Sequence, residues 1–513
     1  MKQITLHIAK AGILLTVSMG VQATLTLDKI NHLSTGLGPA SAEISSYDKN
    51  SQKLFVINSG YASYSIFDFS NPALASVSST VSLSSYGAGP NSIASFNGIV
   101  AVAVEAHTVT DNGSVVFFDS TGNHIKTVQV GALPDMLTFT QDGTKLVVAN
   151  EGEPDVGVNP IGSVSIIDIS NGVINATVNT LDFVDFNVGQ PRHVELNDDV
   201  IIAPGEDVAV DLEPEYVAIS DDGQQAYVTL QENNAVAVVD LITLRIDSVQ
   251  ALGFKDHSIP GNELDPSDRD GVNGAGAINI NNWPVKGIYM PDAIAAVTLN
   301  DTQYYLTANE GDARDADKRI KNLTLDPAIF PDFSDLQSDE QLGRLDAQSN
   351  LGMGVNGYTD LYIYGGRSFS IWNAETGNQV FDSGSEMAFK IAEINPGIFN
   401  ANNSSADDFD ERSDNKGAEP EGITTAEING KNYAFIGLER VGGIMIYDIS
   451  TPSLAQFEHF QAATDGDVAP EGLLFIPASD NATGQNLLLV SYEDTGTIGV
   501  FRLVDVIFKN TFE

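Results

Sequence analysis

Acidic side chains recur in this chain at spacings that could hold a metal ion. Ala-Asn-Glu-Gly occurs twice, in VVANEGEPD (147–155) and LTANEGDARD (306–315), each time after an apolar run and before further acid. Both copies belong to a longer unit. It opens on Pro plus a polar residue, runs into one apolar stretch, turns, and climbs a second stretch to an Asn or Glu. The opening position reads Glu43, Asn91, Asp135, Glu215, Asp292, Glu421 and Glu471; the closing position reads Asn58, Glu105, Glu151, Glu232, Glu310, Glu439 and Glu493. Pro-Asp and Asn-Glu-Gly are ordinary turn chemistry in any single copy. Their recurrence at equivalent places is what points to a cation. Crowded carboxylates either take up protons or recruit a positive ion. All-oxygen ligands favour Ca²⁺, Mg²⁺ or Mn²⁺, and calcium accepts an irregular shell drawn from several loops. A structural and a catalytic ion are equally compatible with this pattern.

Little else in the sequence suggests chemistry. There is no G-x-S-x-G and no H-E-x-x-H. His107, two residues after Glu105, is the histidine nearest the acidic positions, and as a lone loop histidine it reads more readily as surface. Arg314, Arg367 and Arg440 follow or sit among the acidic motifs. They could hold phosphate oxygens in a bidentate fashion or neutralise neighbouring carboxylates. Hydrolysis would then use metal-activated water. Two acidic insertions stand apart. NELDPSDRDGVNG (262–274) resembles a calcium loop, but Pro266 and Ala277 stand where an EF-hand needs its first Asp and last Glu. SADDFDERSDNKGAEPEG (405–422) leads straight into Glu421 and reads either as a flap over the acidic mouth or as a solvated loop.

The elements that must position these residues are short strands. Apolar segments rich in Val, Ile, Phe and Tyr alternate with Gly, Asn, Asp and Pro. The unit recurs about seven times, clearest in PDMLTFTQDGTKLVVANEGEPD from Pro134 and PEYVAISDDGQQAYVTLQENNAVAVVDL from Pro214. The copy at Pro291 is interrupted by an acidic insertion, after which RSFSIWN and QVFDSG supply its outer strands. Seven units of about four strands predict an all-β, seven-bladed β-propeller with acidic loop insertions on one face. Because the second strand returns antiparallel to the first, both acidic positions should meet at one mouth of the central channel.

The bulk composition agrees. The chain has 513 residues, 42% of them hydrophobic, with 69 acids against 25 bases and a formal charge of −44. Nucleic acid and anionic membranes are poor partners for such a surface. With no cysteine, thiolate sites and disulfides are excluded. Lys2 and Lys10, the run AGILLTVSMGV and the following VQA predict a secretory signal peptide over 1–23. The propeller is expected over 24–505 and a short tail over 506–513, with no membrane span in the mature chain. The expectation is an exported monomer that is periplasmic, extracellular or associated with the cell surface.

Taken together, LPDMLTFTQDGTKLVVANEGEPD, MPDAIAAVTLNDTQYYLTANEGDARD, GGRSFSIWN, RSDNKGAEPEGI and APEGLLFIPASDN resemble the choice-of-anchor I domain family, over about 25–503. That family includes mesenchyme-specific cell-surface glycoproteins and atypical secreted alkaline phosphatases. The resemblance implies a secreted or surface-attached propeller, a link to calcium and, for some members, phosphomonoester hydrolysis; it carries over no catalytic residue set. The VDVIFKNTFE ending departs from the family's varied anchors and favours a free protein. Two functions follow as expectations. One is a calcium-binding propeller acting on a phosphorylated small molecule, with Asp135, Glu151, Asp292, Glu310, Glu421 and Glu471 foremost among the ligands. The other is a non-catalytic, calcium-dependent surface or matrix binding protein.

Overall fold

The computed structural model describes residues 23–312, 317–402 and 406–507. The expected signal peptide, apart from Ala23, and Arg314 lie outside the described residues. Seven four-stranded antiparallel sheets follow one another along the chain. Their first strands are Ser45–Asp48, Pro90–Phe96, Pro134–Phe139, Pro214–Ile219, Ile294–Leu299, Pro420–Ile428 and Pro470–Ile476. Six sheets run in chain order from first to fourth strand, the seventh draws its outermost strand from elsewhere in the chain, and the second strand of each is largely buried. KLVVAN (Lys145–Asn150) is buried from Leu146 onward on both faces, as a strand with a sheet packed against either side must be. The tight turns between first and second strands use Asx chemistry. In TQDGTK and SDDGQQ, Asp142 and Asp222 accept the N–H two residues on at 2.9 and 3.0 Å.

The sheets close a circuit. Apolar cores lie between the first and second sheets around Tyr64 and Val102, and between the second and third around Phe117 and Val148. They continue between the third and fourth, fourth and fifth, fifth and sixth, and sixth and seventh. The last core, around Leu54 and Leu489, joins the seventh sheet back to the first. The first strands pack against one another in the same cyclic order. The N-terminal strand Ala23–Ser34 does not belong to the first sheet. It pairs with Thr497–Ile507 as the outermost strand of the seventh, so both ends of the described chain lock a single sheet. This is an all-β fold of propeller type.

The interruption of the fifth sheet is as read from the sequence. Thr302–Ala308 pairs with Phe369–Asn373, which pairs with Gln379–Asp382. The insertion, however, folds together with the segment between the fourth and fifth sheets. Phe254–Asp256, Lys286–Ile288, Tyr362–Tyr364, Asp346–Gln348 and Asp317–Arg319 form a separate five-stranded sheet over its own apolar core. The helix Glu386–Ile394 buries Met387 and Ile391 against the core between the fifth and sixth sheets.

Candidate metal centre

The backbone delivers the two acidic positions to one place by a repeated device. In five sheets the first strand carries one extra residue at or next to its opening acid or amide. Pairing jumps from Pro134 to Leu137, Pro214 to Val217, Pro420 to Ile423 and Pro470 to Leu473, and in the second sheet from Pro90 to Ser92. A bulge of this kind re-aims a side chain out of the ladder. The residue before the proline is left-handed at Leu133, Met290, Glu419 and Ala469. Three of these carbonyls accept the N–H of the closing glutamate: Leu133 from Glu151 at 2.9 Å, Glu419 from Glu439 at 2.8 Å and Ala469 from Glu493 at 3.1 Å. Opening and closing positions are thereby held side by side.

Within Asn-Glu, the two residues do different work. Asn58, Asn150 and Asn309 are fully buried. Each turns its amide onto two hydroxyls of the third strand: Ser63 and Ser65, Ser163 and Ser165, and Ser368 and Ser370, at 2.9–3.2 Å. Asn58, in the closing position of the first sheet, is therefore a lock between strands rather than a mouth residue. The Ser-x-Ser spacing on the third strand was the signal for it. The glycine after the glutamate is required at Gly311, where φ is +95° and a Cβ would lie 2.1 Å from the Gly365 nitrogen.

The glutamates and aspartates themselves surround an open cavity of about 320 Å³. Every sheet contributes the start of its first strand: Glu43, Asn91, Asp135, Tyr216, Asp292, Glu421 and Glu471, joined by Glu310, Glu439 and Arg440 from closing positions. Glu151, Glu215, Glu232 and Glu493 do not line the cavity but interact with the acids that do: Glu151 with Asp135, Glu215 with Asp292, and Glu493 with Glu471. Glu215 in turn interacts with Glu232. Glu105 is half-buried and outside the lining; His107 is exposed in a loop and also outside it. Arg367 is elsewhere as well. Its φ is +51°, and its guanidinium donates to the carbonyls of Asp265, Ser413 and Asn415 at 2.7–2.8 Å. It fastens the insertions, with both terminal nitrogens engaged by backbone carbonyls.

Burial is the main cause of the acidic groups' altered protonation. It pushes Glu43 up to about 8 and Asp135 to about 7, with Glu493 and Asp135 adding to the rise at Glu43. Glu151, Glu215, Asp292, Glu421 and Glu471 are raised well above the carboxylate range, first by burial and then by one another.

Charge compensation centres on Glu310, Glu419 and Glu439. Lys416, from the 405–422 insertion, pairs with Glu310 at 2.6 Å and Glu419 at 3.2 Å. Arg412 and Arg440 also reach Glu419, at 2.6 and 3.4 Å, and Arg440 reaches Glu439 at 2.9 Å. Burial alone would raise Glu419, but these three cations hold it below its ordinary value. Gln231 adds a 2.8 Å hydrogen bond to Glu310. Among the described residues, Glu310, Glu419 and Glu439 are the one acidic trio with oxygens all within 4.8 Å, and it is already served by tethered cations. By contrast, the largest influences on Glu43, Asp135, Glu151, Glu215, Asp292 and Glu471 are burial and, where a charge acts, other carboxylates. Buried oxygens without a hydrogen-bond partner occur at Glu43, Glu215 and Glu421.

The family model of the choice-of-anchor I domain matches residues 43–452. The chain belongs to the choice-of-anchor I domain family. A relative is Gigasin-3a of Magallana gigas, 33% identical over 189 residues; the match covers 33% of this chain and 66%, just under two thirds, of that protein. Among solved structures, the chain is similar to Kuenenia stuttgartiensis hydrazine synthase at 12% identity and TM-score 0.47, covering 92% of this chain and 97% of that one. It is also similar to the Cps50 (Swd1) β-propeller domain of Myceliophteria thermophila at 9% and 0.43, covering 93% and 99%. In this choice-of-anchor I domain, the members of the charge network that sequence reasoning missed are Lys416, Arg412, Glu419 and Gln231, of which Lys416 and Gln231 line the cavity. All but Gln231 come from an insertion that has no counterpart in the repeat and so no register to read.

Proposed function

We propose that the protein is an exported or surface-attached seven-bladed β-propeller that binds Ca²⁺ at the acidic mouth of its channel. The observation that carries this reading is the uneven compensation. For six carboxylates of the ring, Glu43, Asp135, Glu151, Glu215, Asp292 and Glu471, the largest influences are burial and other acids, while Lys416 and Arg440 are spent on Glu310, Glu419 and Glu439. Buried like charges need either protons or a cation, and oxygens free at Glu43 and Glu215 suit a hard ion. Glu232, Glu421 and Glu493 complete the set of side chains within reach. A bound ion would supply charge neutralisation and a point of attachment for an anionic group. The protein's own part is to hold the acids on bulged strand starts, where they cannot swing apart.

Calcium titration of chelator-treated protein by calorimetry tests this. The wild type should take up at least one equivalent, and Glu43→Gln or Glu215→Gln should weaken uptake by about tenfold or more, since each removes a buried charge–ion contact worth about 1.4 kcal/mol or more. A protein that is metal-free as purified and indifferent to calcium would return the acids to turn chemistry.

A second reading, phosphomonoester hydrolysis, is favoured by one feature: the cavity is open, and Arg440 stands in its wall with 29% of its side chain exposed. An assay with simple phosphomonoesters, with calcium present and after chelation, separates the two. Turnover that requires calcium and falls in Arg440→Met supports the enzyme. Saturable calcium binding without turnover leaves a calcium-dependent binding protein of the surface or matrix.

A further inference from the structure

The two acidic insertions meet inside the fold, away from the mouth. We propose that Asp265, Asp270 and Asp410 form a second divalent-cation site, which takes Ca²⁺ as a structural ion and clamps the loop at 262–281 to the segment at 406–415. The decisive atom is Asp410 Oδ2. Asp410 has no solvent exposure; its Oδ1 accepts the Ser413 hydroxyl, but Oδ2 is buried with no hydrogen-bond partner. Asp270 Oδ2 is buried without a partner in the same way. These two carboxylates flank a single backbone N–H, that of Ala277, which donates to Asp270 Oδ1 at 2.9 Å and also faces Asp410. At the neighbouring Gly276, a Cβ would lie 2.4 Å from Asp410 Oδ2, so the close approach needs glycine there. Asp265, 1% exposed, accepts the Asn279 N–H at 2.5 Å, and its charge acts on Asp410.

The charge balance points to a divalent ion. Arg367 is a positive neighbour of Asp265 and Asp410, but its charge is also drawn on by Glu419 and Asp414. The three carboxylates are thus undercompensated, and a divalent ion supplies the missing positive charge. The three carboxylates are farther apart than the Glu310, Glu419 and Glu439 trio. The ion therefore draws them in by small side-chain rotations, and backbone carbonyls and water fill the rest of its six to eight oxygens. The clamp matters to the mouth because the clamped segment runs on to Lys416 and Glu419, which stand over the compensated side of the cavity.

The test is calcium stoichiometry of the full chain, by elemental analysis after dialysis against buffered Ca²⁺, for wild type, Asp410→Asn, Asp270→Asn and Glu215→Gln. Asp410→Asn and Asp270→Asn should each lose one equivalent while keeping the mouth's uptake, and Glu215→Gln should do the reverse. In parallel, Ca²⁺ should slow tryptic cleavage after Arg412 by about tenfold or more in wild type and not in Asp410→Asn. Retention of wild-type stoichiometry in both aspartate variants, or calcium-independent cleavage after Arg412 in wild type, overturns the proposal. Loss in Glu215→Gln alone leaves the mouth reading standing without it; loss in the aspartate variants alone does the opposite. If Asp410→Asn does not fold, Asp270→Asn, at a half-buried position, decides.

Discussion

Removing calcium should make the protein's stability fall as pH rises from 5 to 8. Glu43 titrates near 4.5 unfolded and is pushed up to about 8 by burial in the folded state. A raised carboxylate favours the folded state fully below its unfolded value, and loses that contribution as pH climbs toward the folded value. The rise from 4.5 to about 8 corresponds to roughly 4–5 kcal/mol for this one group. Asp135, raised to about 7, acts with the same sign over a similar window, although neighbouring groups are not additive. For a chain of this length the unfolding entropy is on the order of 1 kcal/mol per degree, so one such group moves Tm by about 5 °C. Differential scanning calorimetry in chelator should therefore show Tm dropping by about 5 °C or more between pH 5 and 8. Saturating Ca²⁺ should recover most of that loss at pH 8 and have little effect at pH 5, where protons hold the site. Glu43→Gln should flatten the profile in chelator. A Tm in chelator that is level or rising over this range would refute the reasoning, because it would mean that the acids are ionised and compensated without an ion.

Other outcomes follow from named contacts. Lys416→Met strips Glu310 and Glu419 of their buried partner and should cost about 3–5 kcal/mol by urea denaturation without calcium, with part of the loss restored by Ca²⁺. Asn309→Ala removes its two hydrogen bonds to Ser368 and Ser370 and the one it accepts from Thr307, while both serine hydroxyls keep Asp382 as acceptor; a loss of about 2–3 kcal/mol is expected by the same assay. Gly311→Ala should lower expression or stability far more than Gly152→Ala. Its Cβ would meet backbone at 2.1 Å, whereas at Gly152 the nearest atom is at 3.0 Å, and soluble yield and Tm of the pair check this.

The ring of acids was legible in the sequence because it repeats. A residue that recurs after each proline, or at the end of each second strand, can be placed without knowing any contact. Even so, no residue pattern signals the bulge that aims Asp135 or Glu471 inward. It also blurred Asn58 into the ligand ring, when its amide is committed to Ser63 and Ser65. What does not repeat was not legible. The inserted sheet is built from three-residue strands such as Asp317–Arg319 and Lys286–Ile288, too short for periodicity and held by their surroundings. Arg367 sits in a run that reads like mouth chemistry, and only the left-handed backbone there turns it toward the insertions. The N-terminal strand alternates as a strand should, but nothing local says that its partner is Thr497–Ile507.

The two sides of the cavity differ in how their charge can change. A tethered ammonium such as that of Lys416 cannot leave, so Glu310 and Glu419 are neutralised at every calcium level and form a fixed wall. At Glu43, Asp135 and Glu215 the largest influences are burial and other acids, so neutralisation there falls to protons or a free ion, which exchange with solvent. An incoming cation therefore gains most where protons are bound and no base competes, and it must displace those protons to bind. Calcium uptake there should release protons near neutral pH, in an amount that shrinks as pH rises past 8. If the acids were a passive surface feature, uptake would release none, because exposed carboxylates are already ionised. Proton release on calcium binding, measured in weakly buffered solution, thus distinguishes a buried, preorganised ring from a merely acidic rim.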